Sequence, residues 1–243
     1  MISRLILTLS LLLFLHCCYS QQLHQDPLSG ISYLMKQGGS AAIILIHGYR
    51  SNEADLFGLK DHFHKDYTII SPRGPIDYQS GSNSWYNVDF STKPPGRDLV
   101  QANSSIAILK IFIRQMIKSH HLDSTNTLVG GFSQGAILSY TLAIEHPELV
   151  GGYFGIGGAL LKPDMKALNT KTESYKDLEV FIGHGIEDPL LTIDNGRKVN
   201  SVLTDAGIQT TYREYNMKHE ISRECLADLI RWCDEKLLSN DNK

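Results

Sequence analysis

The chain lacks any apolar run long enough to cross a membrane, and it has no repeat, linker or low-complexity tract. A spanning helix needs roughly 20 apolar residues, and the run from Leu5 to Leu15 falls short of that. No charge sign dominates either: Lys and Arg number 23, Asp and Glu 26, and the net charge is −3 with both signs interspersed. That balance leaves neither a nucleic-acid footprint nor a basic membrane-binding face, and points to small, weakly charged partners. Cysteine is scarce, with four in 243 residues. Cys225 and Cys233 share a helical pattern that separates them by about 12 Å at the helical rise, too far for a disulfide. They are expected as small core residues on one helix face with Leu226, Leu229 and Leu237. Metal-ligand spacing is also missing. His62 and His64 form an H-x-H pair with no cysteine or acidic partner at ligand spacing, and Gly155-Ile156-Gly157-Gly158 lacks the spacing of a dinucleotide or P-loop fingerprint. No metal and no cofactor is implied.

What the N-terminus does have reads as an export signal. Arg4 supplies the positive flank, Leu5 to Leu15 the short apolar run, and Cys18-Tyr19-Ser20 places small residues at −3 and −1 of a cut before Gln21. Residues 1–20 are therefore expected as a signal peptide, 21–243 as the mature domain, and the protein as periplasmic or secreted. Two alternatives stand beside this one: an uncleaved anchor, and a lipoprotein signal, for which His16 before Cys17 is a poor fit. Cleavage would remove Cys17 and Cys18.

At this length one domain with one sizeable core is expected. Strand-like runs fall near 42–46, 67–70, 127–131, 150–154, 178–182 and 208–214, and helix-period segments near 53–63, 98–119, 135–146, 193–206 and 221–238. Such alternation predicts an α/β fold whose mainly parallel sheet carries helices on both faces. In the second helix Ile106, Leu109, Ile113 and Met116 form the core-facing stripe. Pro147 stops the third helix, and Gly207 supplies a left-handed stop for the fourth. The segment Ser71 to Arg97 breaks the rhythm: it is rich in Gly, Pro, Ser and Asn yet holds Tyr78, Trp85, Tyr86 and Phe90. Loops longer than about 12 to 15 residues are usually functional or disordered, and large rings argue for order. The loop leaves a strand's carboxyl end, where open α/β sheets bind ligands. Trp85 and Tyr86 are thus candidates for the wall of a substrate pocket; the competing reading has Trp85 plugging the loop into the core.

The chemistry is concentrated in Gly131-Phe132-Ser133-Gln134-Gly135, which follows the apolar run Thr127-Leu128-Val129 and opens a helical run. In a G-x-S-x-G elbow the serine occupies a strained strand-to-helix turn that exposes its hydroxyl, and the next N–H, that of Gln134, points toward an incoming carbonyl. Downstream, Leu178 to Ile182 ends in Gly183-His184-Gly185-Ile186-Glu187-Asp188-Pro189, a strand delivering an acid into a loop. Thr211 to Tyr215 then alternates like a strand and leads to His219. Serine, acid, histidine is the chain order of α/β-hydrolases and not of the chymotrypsin or subtilisin types. Upstream, Ala41 to Ile46 runs into His47-Gly48-Tyr49, where such folds keep a second oxyanion donor.

Other residues compete for these roles. His47 lies inside the oxyanion-loop motif and is expected to brace it; His184 is expected to make a structural hydrogen bond; His120 and His121 suit the negative end of a helix. For the acid, Glu187 adjoins Asp188, and Asp194 suits the start of the next helix.

These pieces together resemble the phospholipase/carboxylesterase family of α/β-hydrolases, which also contains the acyl-protein thioesterases. The likeness runs from about Ile43 to the C-terminal helix through Leu45-Ile46-His47-Gly48-Tyr49, Asn52-Glu53-Ala54-Asp55-Leu56, Arg73-Gly74-Pro75, Trp85-Tyr86, Gly130 to Gly135, His184-Gly185 with Asp188, and His219-Glu220-Ile221. The loop wording, with Val88-Asp89-Phe90 after Trp85-Tyr86, is closer to the bacterial esterase branch. The resemblance implies Ser133 as nucleophile, His219 as base and Asp188 as the residue orienting it, with backbone donors from Tyr49 and Gln134. Pro189 also suits Asp188 to the role by holding its backbone extended. One departure stands out: family members often carry glycine where this chain has Arg50. If the position requires positive φ, arginine there is strained.

The resulting expectation is a serine carboxylesterase acting through an acyl-serine intermediate on a small-molecule ester. Thioester and lysophospholipid hydrolysis are neighbouring alternatives that share the machinery. A hypothesis of another class is a non-catalytic ligand-binding protein on a hydrolase scaffold.

Overall fold

Every residue of strand β3 (Ala42–Ile46) is buried, and its side chains divide between two cores. Ala42, Ile44 and Ile46 face one side and Ile43 and Leu45 the other, as the two-residue period of a strand requires. A strand apolar on both faces belongs inside a sheet covered on both sides, and the computed structural model, which describes residues 22–93, 95–162 and 173–238, shows that sheet. The expected signal segment lies outside the described residues.

The remaining strands are β1 (His24–Gln25), β2 (Ser32–Lys36), β4 (Thr68–Pro72), the short β5 (Ile76–Tyr78), β6 (Ser82–Ser84), β7 (Val88–Asp89) and β8 (Gly96–Arg97), then β9 (Thr127–Phe132), β10 (Gly152–Ile156), β11 (Glu179–Gly185) and β12 (Gln209–Tyr215). The main sheet has eight strands in the order β1-β2-β4-β3-β9-β10-β11-β12. From β4 to β12 all neighbours are parallel, while β1 and β2 are antiparallel additions at one edge. Helices α2 (Leu99–Ser119), α3 (Gln134–Glu145) and α4 (Ile193–Asp205) pack their apolar residues on the Ile44 side. Helices α1 (Glu53–Phe57) and α5 (Arg223–Leu237) cover the Ile43 side. Among the described residues no helix is long and apolar enough to cross a membrane.

The expected stripe of α2, Ile106, Leu109, Ile113 and Met116, is buried throughout. Helix α3 ends at Glu145, two residues before Pro147, and Gly207 has φ 91° after α4. On α5 the buried set is Cys225, Leu229, Trp232, Cys233 and Leu237, so Trp232 takes the place expected for Leu226, which is only half-buried. Both cysteines are free, and burial pushes the Cys225 thiol up to about 12 and that of Cys233 well up.

Three features differ from the expectations. Helix α1 stops at Phe57, because Gly58 closes it and Leu59, Lys60 and His62 donate to carbonyls three residues back, a series of tight turns rather than an α-helix. Strands β1 and β2 were not anticipated. Within the segment 71–97, β5 pairs with β6 and β7 with β8 as antiparallel hairpins, so this connection is built and not irregular.

Candidate active site

The sheet order reverses between β3 and β9, since the chain leaves β3 toward β4 on one side and continues from β9 toward β12 on the other. Open α/β sheets bind ligands beyond the carboxyl ends of the strands at such a point. Both flanking strands end there in singled-out residues: β3 in His47-Gly48-Tyr49 and β9 in Ser133. Asp188 follows β11 and His219 follows β12 on the same edge.

Ser133 is held at φ 55°, ψ −112° between β9 and α3. Positive φ is costly for a residue with a β-carbon, and the neighbouring glycines explain why the chain accepts it. A β-carbon on Gly131 would stand 2.0 Å from the Ile46 carbonyl oxygen, and one on Gly135 would stand 1.9 Å from the same atom. The elbow therefore lies backbone against backbone on the end of β3, and a β-carbon on Gly48 would stand 3.4 Å from the Ser133 β-carbon.

His219 Nε2 lies 2.9 Å from Ser133 Oγ, and its Nδ1 lies 2.6 Å from Asp188 Oδ2. Asp188 is itself buried, and its other oxygen accepts the N–H groups of Leu190 and Leu191 at 2.8 and 2.9 Å. The loops bearing the acid and the base are tied together, Ile186 N–H donating to Tyr215 O and Glu187 N–H to Met217 O. Phe132 packs against the imidazole at 4.8 Å between ring centroids. A β-carbon on Gly157, at φ 59°, would stand 3.5 Å from the His219 ring, which gives the glycine-rich 155–158 segment a packing role. An imidazole so placed can take the serine proton from one nitrogen while the carboxylate holds the other.

The competing residues are elsewhere occupied. Glu187 is exposed, and Asp194 sits in the first turn of α4, 3.6 Å from Arg197. His120 caps α2, where its Nε2 lies 3.4 Å from the Tyr33 hydroxyl, and His121 follows it at φ 53°. His184 is fully buried beneath the acid loop; its Nε2 meets Leu191 O at 2.7 Å and lies 3.7 Å from Asp188 Oδ2. Burial lowers its pKa, and its Nδ1 is buried without a partner. His62 and His64 are exposed, and among the described residues no group of three or more His, Cys, Asp or Glu could hold a metal.

His47 braces the loop after β3. Its Nε2 accepts the Gly74 N–H at 2.9 Å, so the ring proton is on Nδ1, which donates to Gly48 O at 2.8 Å. Burial lowers its pKa and keeps it neutral. Across a trans peptide the carbonyl and the N–H point in opposite directions, so anchoring the Gly48 carbonyl aims the Tyr49 N–H away from His47. Neither the Tyr49 nor the Gln134 N–H has an intramolecular acceptor among the described residues. Arg50, next in the chain, does adopt positive φ, 54°.

Trp85 and Tyr86 are not at a pocket surface. They are 0% and 1% exposed, in the core with α2 and α3; Trp85 matches the core-plug reading instead, and Tyr86, expected only at the pocket, is buried beside it. Trp85 Nε1 donates to His47 O, its N–H donates to Gln134 Oε1 at 2.8 Å, and Ser105 Oγ donates to its carbonyl. Gln134 Nε2 reaches Tyr86 O at 2.8 Å. The Gln134 side chain thus ties the aromatic loop to the start of α3, a function the sequence pattern does not reveal. The exposed face of the loop carries Tyr78 and Phe90, grouped with Tyr49. A second unforeseen contact joins Arg73 to the buried Glu53, through Nε at 2.5 Å and Nη2, locking α1 to the turn after β4. Both residues stand in motifs singled out from the sequence, but nothing in the sequence pairs them.

Residues 35–236 match the family model described as Phospholipase/Carboxylesterase. Acyl-protein thioesterase 1 of Kluyveromyces lactis is 27% identical over 87% of this chain and 99% of its own length. Lysophospholipase-like protein 1 of Mus musculus is 28% identical over 79% of this chain and 85% of its own. Among solved structures, the Bacillus cereus carboxylesterase superposes with a TM-score of 0.72 at 19% identity, covering 85% of this chain and 94% of that one, which shows the shared α/β-hydrolase fold.

Proposed function

This chain belongs to the phospholipase/carboxylesterase family of serine hydrolases, and from that membership we propose that it hydrolyses carboxylic esters through an acyl-enzyme on Ser133. The observation that carries the reading is the His219 imidazole, 2.9 Å from Ser133 Oγ on one nitrogen and 2.6 Å from Asp188 on the other. Ser133 Oγ attacks the ester carbonyl carbon as His219 Nε2 takes the hydroxyl proton, and the N–H groups of Tyr49 and Gln134 receive the oxyanion. Collapse of the tetrahedral adduct breaks the C–O bond, and His219 returns the proton to the departing alcohol. Water then attacks the acyl-serine with its proton passing to His219, and the second collapse frees the acid and restores the serine. Asp188 holds the ring in the tautomer this cycle needs.

The names of the relatives support a second reading, a thioester substrate. The same attack would break a C–S bond, and a thiol, more acidic than an alcohol, leaves with less help from His219. Hydrolysis of p-nitrophenyl acetate, p-nitrophenyl butyrate and a butyryl thioester by the parent and by Ser133→Ala tests both. Oxygen esters should turn over at least as fast as the thioester, and Ser133→Ala should lose both activities. A parent inert toward oxygen esters, or an equally active variant, overturns the first reading. Labelling by a fluorophosphonate that requires both Ser133 and His219 separates an enzyme from an inert binding scaffold. Residues 1–20 support a further part of the proposal, export with cleavage before Gln21, which mass spectrometry of the protein recovered from its producing cell would test.

A further inference from the structure

Arg50 adopts φ 54°, a conformation that glycine takes freely and that a residue with a β-carbon rarely does. Its N–H donates to Ser84 Oγ at 2.9 Å, which holds the turn. The side chain then lies over aromatic faces, its guanidinium carbon 4.7 Å from the Tyr78 ring centroid and 5.6 Å from that of Tyr49. The carboxylates of α1 and of the aromatic loop at Asp89 are committed elsewhere: Glu53 binds Arg73, Asp55 accepts from Ser51 Oγ at 2.6 Å, and Asp89 accepts the N–H and hydroxyl of Ser91. Among the described residues no carboxylate pairs with the Arg50 guanidinium.

The guanidinium also interacts with the Tyr49 hydroxyl, and its five N–H donors leave others for a ligand, in a planar fork that matches the two oxygens of a carboxylate or phosphate. The rings beneath it form a shelf. Tyr49 meets Tyr78 edge-on at 6.0 Å and Phe90 at 5.7 Å, and Phe90 is 64% exposed. The exposed Phe90 ring, packed on Tyr49, leaves an apolar face that a ligand can cover. The shelf is joined to the site through the chain: Tyr49 supplies a ring to the shelf and the backbone N–H assigned to the oxyanion, and a β-carbon on the preceding Gly48 would stand 3.4 Å from that of Ser133. Two further peptide units separate Gly48 from Arg50, at most about 7.6 Å along the backbone.

We infer that Arg50, Tyr49, Tyr78 and Phe90 form a substrate subsite for an ester bearing an anionic oxygen group, a carboxylate or phosphate, whose apolar body lies on the rings. The inference rests on the ester-hydrolysis reading above and adds the substrate class to it. The anion sits on the acyl part or on the alcohol part of the substrate, several bonds from the scissile carbonyl. The guanidinium holds it without taking part in the bond changes at Ser133.

The test compares kcat/KM for matched charged and neutral esters within each variant. On the acyl side the pair is mono-p-nitrophenyl adipate and p-nitrophenyl hexanoate; on the alcohol side it is 3-acetoxybenzoate and phenyl acetate. In one arm the charged-to-neutral ratio should fall about tenfold in Arg50→Met, with the loss mainly in KM, and Arg50→Lys should fall between. The arm that responds identifies the part of the substrate carrying the anion. Raising ionic strength from about 0.05 to about 0.5 M should erode the parent's ratio and leave that of Arg50→Met unchanged. Arg50→Gly, which relieves the backbone conformation and removes the charge together, repeats the measurement should Arg50→Met fold poorly. A merely structural arginine would lower both rates together. A ratio that survives loss of the guanidinium in both arms overturns the subsite while neutral-ester turnover leaves the esterase reading standing; a parent inert toward all four esters overturns both.

Discussion

The carbonyl oxygen of Ile46 occupies the place that a β-carbon on Gly135 would need, 1.9 Å from it. The end of β3 and the first turn of α3 therefore meet at backbone contact, and this contact sets the height of Ser133 above the sheet edge. Gly135→Ala must push rigid backbone aside, so it is expected to cost more than about 4 kcal/mol or to prevent folding. Gly81→Ala is the matched comparison: Gly81 has φ 74° but open space around it, so only the conformational cost of about 1 to 2 kcal/mol applies. Thermal melts of the two variants beside the parent check the difference, and equal losses would show that the contact with Ile46 yields easily.

Asp188 holds His219 by one oxygen and is itself held by two backbone N–H groups through the other. Asp188→Asn keeps the shape and removes the charge that fixes the imidazole tautomer. A drop in kcat of about 10³- to 10⁴-fold is expected, with little change in KM. Ester hydrolysis at saturating substrate measures it; a loss under about tenfold would mean that another group orients the ring.

His47 acts through Gly48. His47→Gln loses the fixed pair of bonds from Gly74 N–H and to Gly48 O, so the Tyr49 N–H is no longer aimed. The loss of one oxyanion donor corresponds to about 10²- to 10³-fold in kcat. Because the donor acts on charge that develops only during reaction, kcat should fall and KM should hold. A fall in KM affinity alone would place His47 in ground-state binding.

Trp85 and Phe90 lie on one loop with opposite fates, 0% and 64% exposed. Trp85→Ala should cost about 3 to 5 kcal/mol and leave the bonds that Trp85 shares with His47 and Gln134 weakened, whereas Phe90→Ala should stay within about 0.5 kcal/mol. Urea titrations measure both, and similar midpoints would contradict the burial of the indole.

The parts of the fold that were legible in the sequence are those where local pattern and burial agree. Ala42–Ile46 is apolar at every position and is the strand its run predicted, and Ile106, Leu109, Ile113 and Met116 are the buried stripe their spacing predicted. Ser133, Asp188 and His219 could be picked out because each follows an apolar run into a loop, and the parallel sheet brings those strand ends to one edge. Strand β2 escaped because Tyr33 and Leu34 are buried side by side, which hides the two-residue period. Helix α1 was overextended because its amphipathic pattern outruns Gly58. Trp85 could not be placed from sequence, since an indole that lines a pocket and one that fills a core look alike until its N–H finds His47 O. The Arg50 conformation was legible only as a condition, because nothing local in the sequence sets the sign of φ.

Acid should destabilise the protein before it reaches the range where carboxylates titrate. Burial lowers the pKa of His47 and of His184, and both rings are fully buried. In the unfolded chain these imidazoles take up protons near pH 6.5, while in the folded protein they stay neutral to lower pH. The unfolded state then binds more protons, and stability, complete above about pH 6.5, declines as the pH falls through the interval down to the folded values. Each such histidine contributes a slope of up to about 1.4 kcal/mol per pH unit within that interval. Urea midpoints between about pH 7.5 and 5 should therefore fall in the parent and fall less steeply in His184→Gln, which removes one of the two buried rings. A parent whose midpoint holds constant over that range would mean that both rings accept protons in the folded state, contrary to the neutral His47 that the Gly74 N–H requires.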